Sequence, residues 1–98
     1  MLERDYQAGL IKRLRLRFPG IVILKNDTGY QQGIPDLLLL RDDQWAMLEV
    51  KESKDAAEQP NQKWWVIELD SMSFASFIYP ENEEEVLDAL QQLFLLER

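Results

Sequence analysis

The chain has 98 residues, no cysteine, no histidine and a formal net charge of −7 at pH 7. A chain of this length can build one hydrophobic core, so we expect a single domain over residues 1–98. The lack of cysteine excludes a disulfide framework and a zinc–thiolate site. The lack of histidine excludes Ser-His-Asp and Cys-His mechanisms and histidine-ligated metals. An enzyme of this composition must therefore work with Asp, Glu, Lys, Tyr and a hard metal ion.

The negative charge is concentrated in the second half of the chain. Residues 1–50 carry seven basic and seven acidic side chains, whereas residues 51–98 carry four basic and eleven acidic ones. The overall sign argues against general nucleic-acid binding and favours a soluble domain without such a partner. The balanced first half leaves a local contact with nucleic acid open as the alternative.

The chain shows no sign of membrane targeting. Its N-terminus lacks the apolar segment of a signal peptide, and no apolar run reaches the length of a membrane span. Hydrophobic residues make up 46% of the chain, which is ordinary for a globular protein. We therefore expect no membrane partner and an intracellular location.

The first element is predicted to be a helix over residues 2–18, ended by Pro19-Gly20. Glu3 shares a face with Leu10 and Leu14, so its carboxylate either favours the helix dipole or reaches toward a metal site. The apolar stripe consists of Leu2, Tyr6, Leu10, Ile11, Leu14 and Phe18. Basic side chains scatter around the helix, which is typical of a solvated surface, with phosphate contact as the alternative. They are Lys12, Arg13, Arg15 and Arg17.

A short strand and a polar loop follow the first helix. The β-branched run from Ile21 to Leu24 predicts a buried strand. The loop from Lys25 to Gly33 leads directly into Asp36, and loops beside a functional strand often carry substrate contacts. A solvated connector is the alternative. The side chains that offer hydrogen bonds to phosphate or sugar, or a ring to stack on a base, are Lys25, Asn26, Thr28, Tyr30, Gln31 and Gln32.

Two apolar runs joined by a polar turn dominate residues 33–51. Each run is long enough for a strand and too short for a helix, and Arg41-Asp42-Asp43 predicts a hairpin with a loop of three to four residues. Asp36 opens the first strand and Glu49 nearly closes the second, so their carboxylates should face each other across the ladder. Like charges placed opposite each other cost free energy unless a cation lies between them.

The end of the second strand supplies further groups. Because side chains alternate along a strand, Glu49 and Lys51 share a face, whereas Val50 points into the core with its carbonyl still available. Hard divalent ions such as Mg²⁺ take oxygen ligands, and a lysine beside them can position water or stabilise developing charge. The alternative makes Asp36 a turn residue and the Glu49–Lys51 pair an exposed edge.

The region after the hairpin predicts a loop and a second helix. Residues 52–61 are polar, and Asn61 is a candidate cap for a helix from Gln62 to about Ser71. The adjacent Trp64 and Trp65 cannot share one helical face. We therefore expect one ring to pack inward and the other to meet a second surface, such as a partner subunit.

The last two elements are predicted to be a strand and a helix. The strand runs from Phe74 to Tyr79. Asn82 with Glu85 resembles a capping box, and the acidic run 83–85 suits a helix N-terminus. The apolar face of the final helix consists of Val86, Leu87, Leu90, Leu93 and Phe94.

The order helix, strand, strand, strand, helix, strand, helix resembles the αβββαβ core of the PD-(D/E)XK nuclease superfamily. Within it the chain looks like the small stand-alone virus-type replication-repair nuclease (VRR-NUC) domains. The matching pieces are Glu3, the segment Gly33-Ile34-Pro35-Asp36-Leu37, Glu49-Val50-Lys51, and Gln62 followed by Lys63-Trp64. The resemblance implies an α/β fold with a restriction-endonuclease-like core, a mixed central sheet flanked by helices, and one added C-terminal helix.

The resemblance also implies an activity, which is metal-dependent hydrolysis of DNA phosphodiester bonds. Asp36 and Glu49 would bind Mg²⁺ or Mn²⁺ together with the Val50 carbonyl. Glu3 would complete the site, Lys51 would assist the attacking water, and Gln62 would support them. The expected DNA contacts are Lys25, Asn26, Thr28, Gly29, Tyr30, Gln32 and Lys54.

Related small viral members resemble Holliday-junction resolvases and act as homodimers, so the resemblance implies a homodimer on branched or duplex DNA. It also implies a bacterial or phage-infected cell as the setting. The acidic second half departs from what a junction-binding protein should carry. The alternative function is a non-catalytic DNA-binding or protein-interaction module that retains the nuclease fold.

Overall fold

The structure is a computed structural model that describes residues 1–95. Its elements follow the order helix, strand, strand, strand, helix, strand, helix, which confirms the order predicted from the sequence. Their bounds are α1 (Glu3–Arg17), β1 (Val22–Lys25), β2 (Leu37–Arg41), β3 (Gln44–Val50), α2 (Gln62–Met72), β4 (Ala75–Ile78) and α3 (Glu83–Leu95). The result is an α/β fold with a mixed four-stranded sheet and three helices.

The four strands lie side by side in sequence order. β1 and β3 are antiparallel to β2, and β4 is parallel to β3, with α2 as the crossover between them. Leu37 pairs with Leu48, which places Asp36 opposite Glu49 at the next position of the ladder. One edge of the sheet therefore gathers the end of β1, the start of β2, the end of β3 and the start of α2.

The hairpin between β2 and β3 is tighter than the sequence suggested. Arg41 pairs with Gln44, so the loop has two residues, and the prediction of three to four was wrong. Asp42 adopts a left-handed conformation with φ of 56°. Aspartate tolerates this region better than most residues, which lets a two-residue turn close the ladder directly.

The hydrophobic core lies on one face of the sheet, beneath α1 and α3. The buried side chains from α1 and the residues that follow it are Tyr6, Leu10, Leu14, Phe18 and Ile21. The strands contribute Leu37, Leu39, Ala46, Leu48, Val50 and Ile78, and α3 contributes Val86, Leu87 and Leu90. The predicted stripe is thus confirmed except at Leu2, which precedes the helix and is exposed.

Helix α2 packs over β3 and β4 on the opposite face. Its first side chain, Gln62, contacts Glu49, which alternates along β3 with the core residues Leu48 and Val50. Within residues 1–95, no helix combines the length and the apolar composition that crossing a bilayer requires.

Neither predicted side-chain cap forms. Asn61 occupies the N-cap position of α2 with φ of 71°, and its side chain makes no capping hydrogen bond. The Asn82 side chain instead accepts a hydrogen bond from the Tyr79 N–H and donates one to the Phe77 carbonyl. The capping-box prediction for Asn82 and Glu85 was therefore wrong, because Asn82 ties α3 back to the end of β4.

The acids that open α3 pair with arginines of α1. Glu83 accepts hydrogen bonds from Arg13, at 2.7 and 2.8 Å, and from the Tyr6 hydroxyl at 2.7 Å. Arg17 donates to Asp88 at 2.5 Å. Burial alone would raise the pKa of Glu83, but the hydrogen bonds from Arg13 and Tyr6 outweigh it and lower that pKa. Two of the four predicted surface cations thus join α1 to α3.

Glu83→Gln should lower the free energy of unfolding at neutral pH by about 1–2 kcal/mol, because it removes a charged, partly buried acceptor. Its effect should fade toward about pH 3, because a carboxyl with a lowered folded pKa loses its stabilising contribution as pH falls through that pKa. Urea denaturation at both pH values measures the difference. Glu84→Gln is the control: the Glu84 carboxylate lies 3.4 Å from Arg17 and is 80% exposed. An equal loss in both variants would contradict the prediction.

Candidate active site

A cleft of about 570 Å³ opens at the sheet edge where β2 begins and β3 ends. It is large enough for a phosphate and its sugar but too small for a duplex segment, so a larger substrate would lie across its mouth. Seven of the predicted site residues line it: Glu3, Thr28, Gln32, Asp36, Glu49, Lys51 and Gln62. Five separate segments of the chain supply them.

The centre of the cleft is a pair of carboxyl groups. Glu49 is only 2% exposed, and its carboxyl group is within hydrogen-bonding contact of Asp36. Asp36 Oδ2 also accepts a hydrogen bond from the Val50 N–H at 2.9 Å. Burial, followed by the charge and hydrogen bond of Asp36, raises the pKa of Glu49 to about 9, although Lys51 opposes the shift. The protonated form of Glu49 is thus favoured in the cation-free site.

Gln62 holds the glutamate from the side of α2. Its Nε2 donates a hydrogen bond to Glu49 Oε2 at 3.1 Å, and its Oε1 accepts one from the Gln59 N–H at 2.8 Å. The amide is thereby fixed at both ends. A glutamine at the start of a helix is usually incidental, but here it orients a buried carboxyl group.

Lys51 is buried beside the carboxyl pair. Its Nζ donates a hydrogen bond to the Ala57 carbonyl at 3.0 Å, and its positive charge opposes the rise in the pKa values of Glu49 and Glu3. The loop between β3 and α2 thus supplies the lysine's backbone partner. The ammonium group is held in the cleft by a carbonyl and by the field of the acids.

Glu3 lines the same cleft as the carboxyl pair. Burial, and then the charge of Asp36, raise its pKa, so the two groups interact through space. Among the described residues, no three Asp or Glu side chains form a ready ligand cluster. The donor set of two touching carboxyl groups still suits Mg²⁺ or Mn²⁺, which take one or two carboxylates and complete their shell with water and phosphate. The Val50 side chain points into the core, so only its carbonyl is a possible donor.

The predicted DNA contacts divide into four groups. Thr28 and Gln32 line the cleft, whereas Lys25 and Tyr30 are exposed and do not line it. Lys54 lines a separate small cavity that also includes Lys51.

Asn26 and Gly29 bond within the protein instead. The Asn26 amide donates a hydrogen bond to the Pro35 carbonyl at 2.8 Å, which fixes the approach to Asp36. The Gly29 N–H donates to Asp27 Oδ1 at 2.9 Å and shapes the loop.

Sequence reasoning missed three contributors to this cleft: Ala57, Gln59 and Asn61. Ala57 and Gln59 act through backbone groups, which leave no signal in residue type. Asn61 follows Pro60 and adopts a left-handed conformation, and asparagine is one of the residues that tolerates it. The dipeptide Pro60-Asn61 is the one sequence signal of an unusual backbone conformation at this point.

In EDTA, wild-type stability should fall as pH rises between about 4.5 and 9, by at most about 1.4 kcal/mol per pH unit. Over that range the folded state keeps the Glu49 proton, whose pKa is raised to about 9, whereas the unfolded chain releases it. Glu49→Gln removes this titration and should flatten the profile. Urea denaturation of both proteins across this range is the measurement. Glu85→Gln, on the exposed side of α3, should keep the wild-type slope, and parallel profiles for wild type and Glu49→Gln would contradict the assignment.

The geometry thus brings two carboxyl groups, a buried lysine and a glutamine into one cleft. Searches with this chain against protein-family models, curated proteins and solved structures find no match.

Proposed function

We propose that this chain is a metal-dependent DNA endonuclease that hydrolyses phosphodiester bonds. The observation that carries the proposal is the convergence of Asp36, Glu49 and Lys51 in one cleft. Stability alone gives no reason to bury two carboxyl groups against each other, because the pair is costly until a cation neutralises it. The order of helices and strands in this α/β fold and the resemblance in Gly33–Leu37 and Glu49–Lys51 support the same proposal.

Mg²⁺ or Mn²⁺ would be held by Asp36, Glu49 and the Val50 carbonyl, with Glu3 at the margin. When bound, the ion supplies positive charge for a phosphate oxygen and for the attacking water. Binding of the ion would favour the ionised form of Glu49 and would therefore compete with its proton. Gln62 keeps the glutamate oriented, and the Lys51 ammonium is placed to hold the attacking water or to stabilise charge on the phosphate.

The charged side chains that line the cleft are Glu3, Asp36, Glu49, Glu52 and Lys51, so a bound cation would offset part of their negative charge toward DNA. Glu83 and Asp88 are engaged by arginines of α1, on the core side of the sheet, and do not line the cleft. The cleft instead offers Thr28 and Gln32, with the exposed ring of Tyr30 nearby to stack on an unpaired base. We propose branched or duplex DNA as the substrate.

The direct test is incubation with Holliday junctions, flaps, single strands and duplexes in Mg²⁺, Mn²⁺ or EDTA. We expect metal-dependent cleavage that Asp36→Asn and Lys51→Ala reduce by at least about 10²-fold, while Glu85→Gln stays active. Cleavage that persists in EDTA would refute the metal site. A lack of cleavage on every substrate would favour a non-catalytic DNA-binding or protein-interaction module.

Asp36→Asn should be at least as stable as wild type in EDTA and respond less to added Mn²⁺. The asparagine oxygen can still accept the Val50 N–H, and its amide can donate to Glu49, so the repulsion is relieved without losing a contact. Mn²⁺ should stabilise wild type by mass action. Thermal melts of both proteins with and without Mn²⁺ measure this. A mutant that is less stable than wild type by about 1 kcal/mol both with and without Mn²⁺ would show that Asp36 has only a structural role.

We also propose a homodimer, because one face of the sheet is apolar and only half covered. α2 packs over β3 and β4, and on the same face the Val22 and Leu24 side chains of β1 are about half exposed. On α2, Trp64 is 56% exposed and meets Trp65 edge to face at 4.9 Å. On the final helix, Val86, Leu87 and Leu90 are buried in the chain's own core, whereas Leu95 is 66% exposed. A second copy on this face would place two clefts about one dyad.

Sedimentation should show a dimer at micromolar concentration and a monomer for the double variant Leu24→Lys/Trp64→Lys. Both side chains are substantially exposed, so the fold should tolerate the charges while the interface does not. Leu16→Lys is the matched control, because Leu16 is 82% exposed on α1 and should leave the dimer intact. A monomeric wild type would overturn the proposal.

A further inference from the structure

Two loops that wall the cleft touch each other at Gly33. Gly33 is buried and has φ of +85°. A methyl group at this position would lie 2.7 Å from the backbone carbon of Asn61, 2.7 Å from its Cβ and 2.8 Å from the Pro60 carbonyl oxygen. These distances are shorter than any tolerable contact, and two of the three atoms are backbone. The β1–β2 loop therefore packs directly against the backbone of the β3–α2 loop.

The residue that Gly33 contacts defines the start of α2. Asn61 is the N-cap residue, and its carbonyl accepts the first helical hydrogen bond from the Trp65 N–H at 3.0 Å. Its side chain does not cap the helix. The position of the first turn therefore depends on where the Asn61 backbone rests, and that backbone rests on Gly33.

Gln62, the next residue along the chain, connects the start of α2 to the carboxyl pair. Gln62 donates to Glu49 and accepts from the Gln59 N–H, both described above. On the other side, Gly33 precedes Asp36 by three residues, and Asn26 fixes the intervening Pro35 carbonyl. Gly33 thus lies between the segment that delivers Asp36 and the helix end that holds Glu49.

We propose that Gly33 is a positioning residue: its lack of a side chain lets the two loops dock so that Gln62 reaches Glu49 while Asp36 faces it. The effect on cleavage rests on the proposed function, whereas the effect on geometry does not. A substitution that separates the loops should shift Asn61, release Gln62 from Glu49 and loosen the first turn of α2, with the β-sheet pairing unchanged.

A second glycine separates this role from simple backbone conformation. Gly20 has φ of +86°, nearly the same as Gly33, but a methyl group there would meet nothing within 4 Å. Gly20→Ala therefore carries the left-handed strain alone, whereas Gly33→Ala carries that strain and the clash with Asn61. The pair forms a matched experiment within one chain.

The test is amide hydrogen exchange in EDTA on wild type, Gly20→Ala and Gly33→Ala. Gly33→Ala should speed exchange of the Gln59 and Trp65 N–H groups by at least about tenfold relative to the strand amides of β3. Gly20→Ala should change the exchange rates of all these amides by a similar factor, which is set by its effect on global stability. The same local loosening in both variants, or none in Gly33→Ala, would overturn the proposal.

A second variant keeps the test decisive if Gly33→Ala fails to fold. Adding Asn61→Gly removes the Cβ that lies 2.7 Å from the added methyl and relaxes the left-handed residue, so the double variant should recover part of the lost protection. Only partial recovery is expected, because the backbone atoms of Asn61 and Pro60 still face the added methyl. A double variant that is no better protected at the Gln59 and Trp65 amides than Gly33→Ala, or that also fails to fold, would overturn the proposal.

Metal and activity measurements separate this inference from the proposed function. Gly33→Ala should reduce the Mn²⁺-induced rise in melting temperature, and it should reduce kcat with a smaller effect on KM. Gly20→Ala should leave the rise in melting temperature and the kinetic constants at wild-type values. If wild type shows neither a metal response nor cleavage, the proposed function fails. The hydrogen-exchange measurements still test the positioning role in that case. If wild type cleaves DNA and Gly33→Ala cleaves it equally well, the positioning role fails alone.

Discussion

The structure depends on one unfavourable contact, between the buried carboxyl group of Glu49 and the partly exposed one of Asp36. At 2% exposure Glu49 has almost no water to stabilise a negative charge, and Asp36 is its immediate neighbour. The protein accommodates the pair by favouring the protonated form of Glu49 and by supplying a hydrogen-bond donor to each acid, the Val50 N–H and the Gln62 amide. Lys51 adds a compensating charge. These groups have little reason to be together unless the site binds a cation or a substrate.

Part of the acidic second half of the chain takes part in packing. Glu83 binds Arg13 and Tyr6, and Asp88 binds Arg17, so two of the eleven acids in residues 51–98 join α3 to α1. These pairs lie on the core side of the sheet, while the cleft opens at the sheet edge. The charge at the cleft is set by a different group of side chains, which are Glu3, Asp36, Glu49, Glu52 and Lys51.

The loops determine whether the strand residues form a usable cleft. The ladder fixes Asp36 opposite Glu49, but the orientation of Glu49 depends on Gln62 and that of Lys51 on the Ala57 carbonyl. Both groups belong to the segment between β3 and α2. Its position is set in turn by backbone contact with Gly33. The precise geometry of the cleft is thus a property of loop docking, although its chemistry comes from the strands.

The sequence by itself determined the elements and the pairing of Asp36 with Glu49, because periodicity and strand alternation are local and a short polar turn leaves few registers for a hairpin. It also placed Gln62 and Glu3 near the sheet edge. It misjudged the turn length and the caps at Asn61 and Asn82, because each depends on which backbone group lies nearby. The prediction of a buried strand over Ile21–Leu24 was also wrong, because β1 is an edge strand in which Val22 and Leu24 are about half exposed. Only the tertiary structure decided that Glu49 is buried enough to raise its pKa, that Lys51 bonds to a loop carbonyl and that Gly33 contacts Asn61. Burial and close approach between distant segments are properties of the packed chain, and no local pattern encodes them.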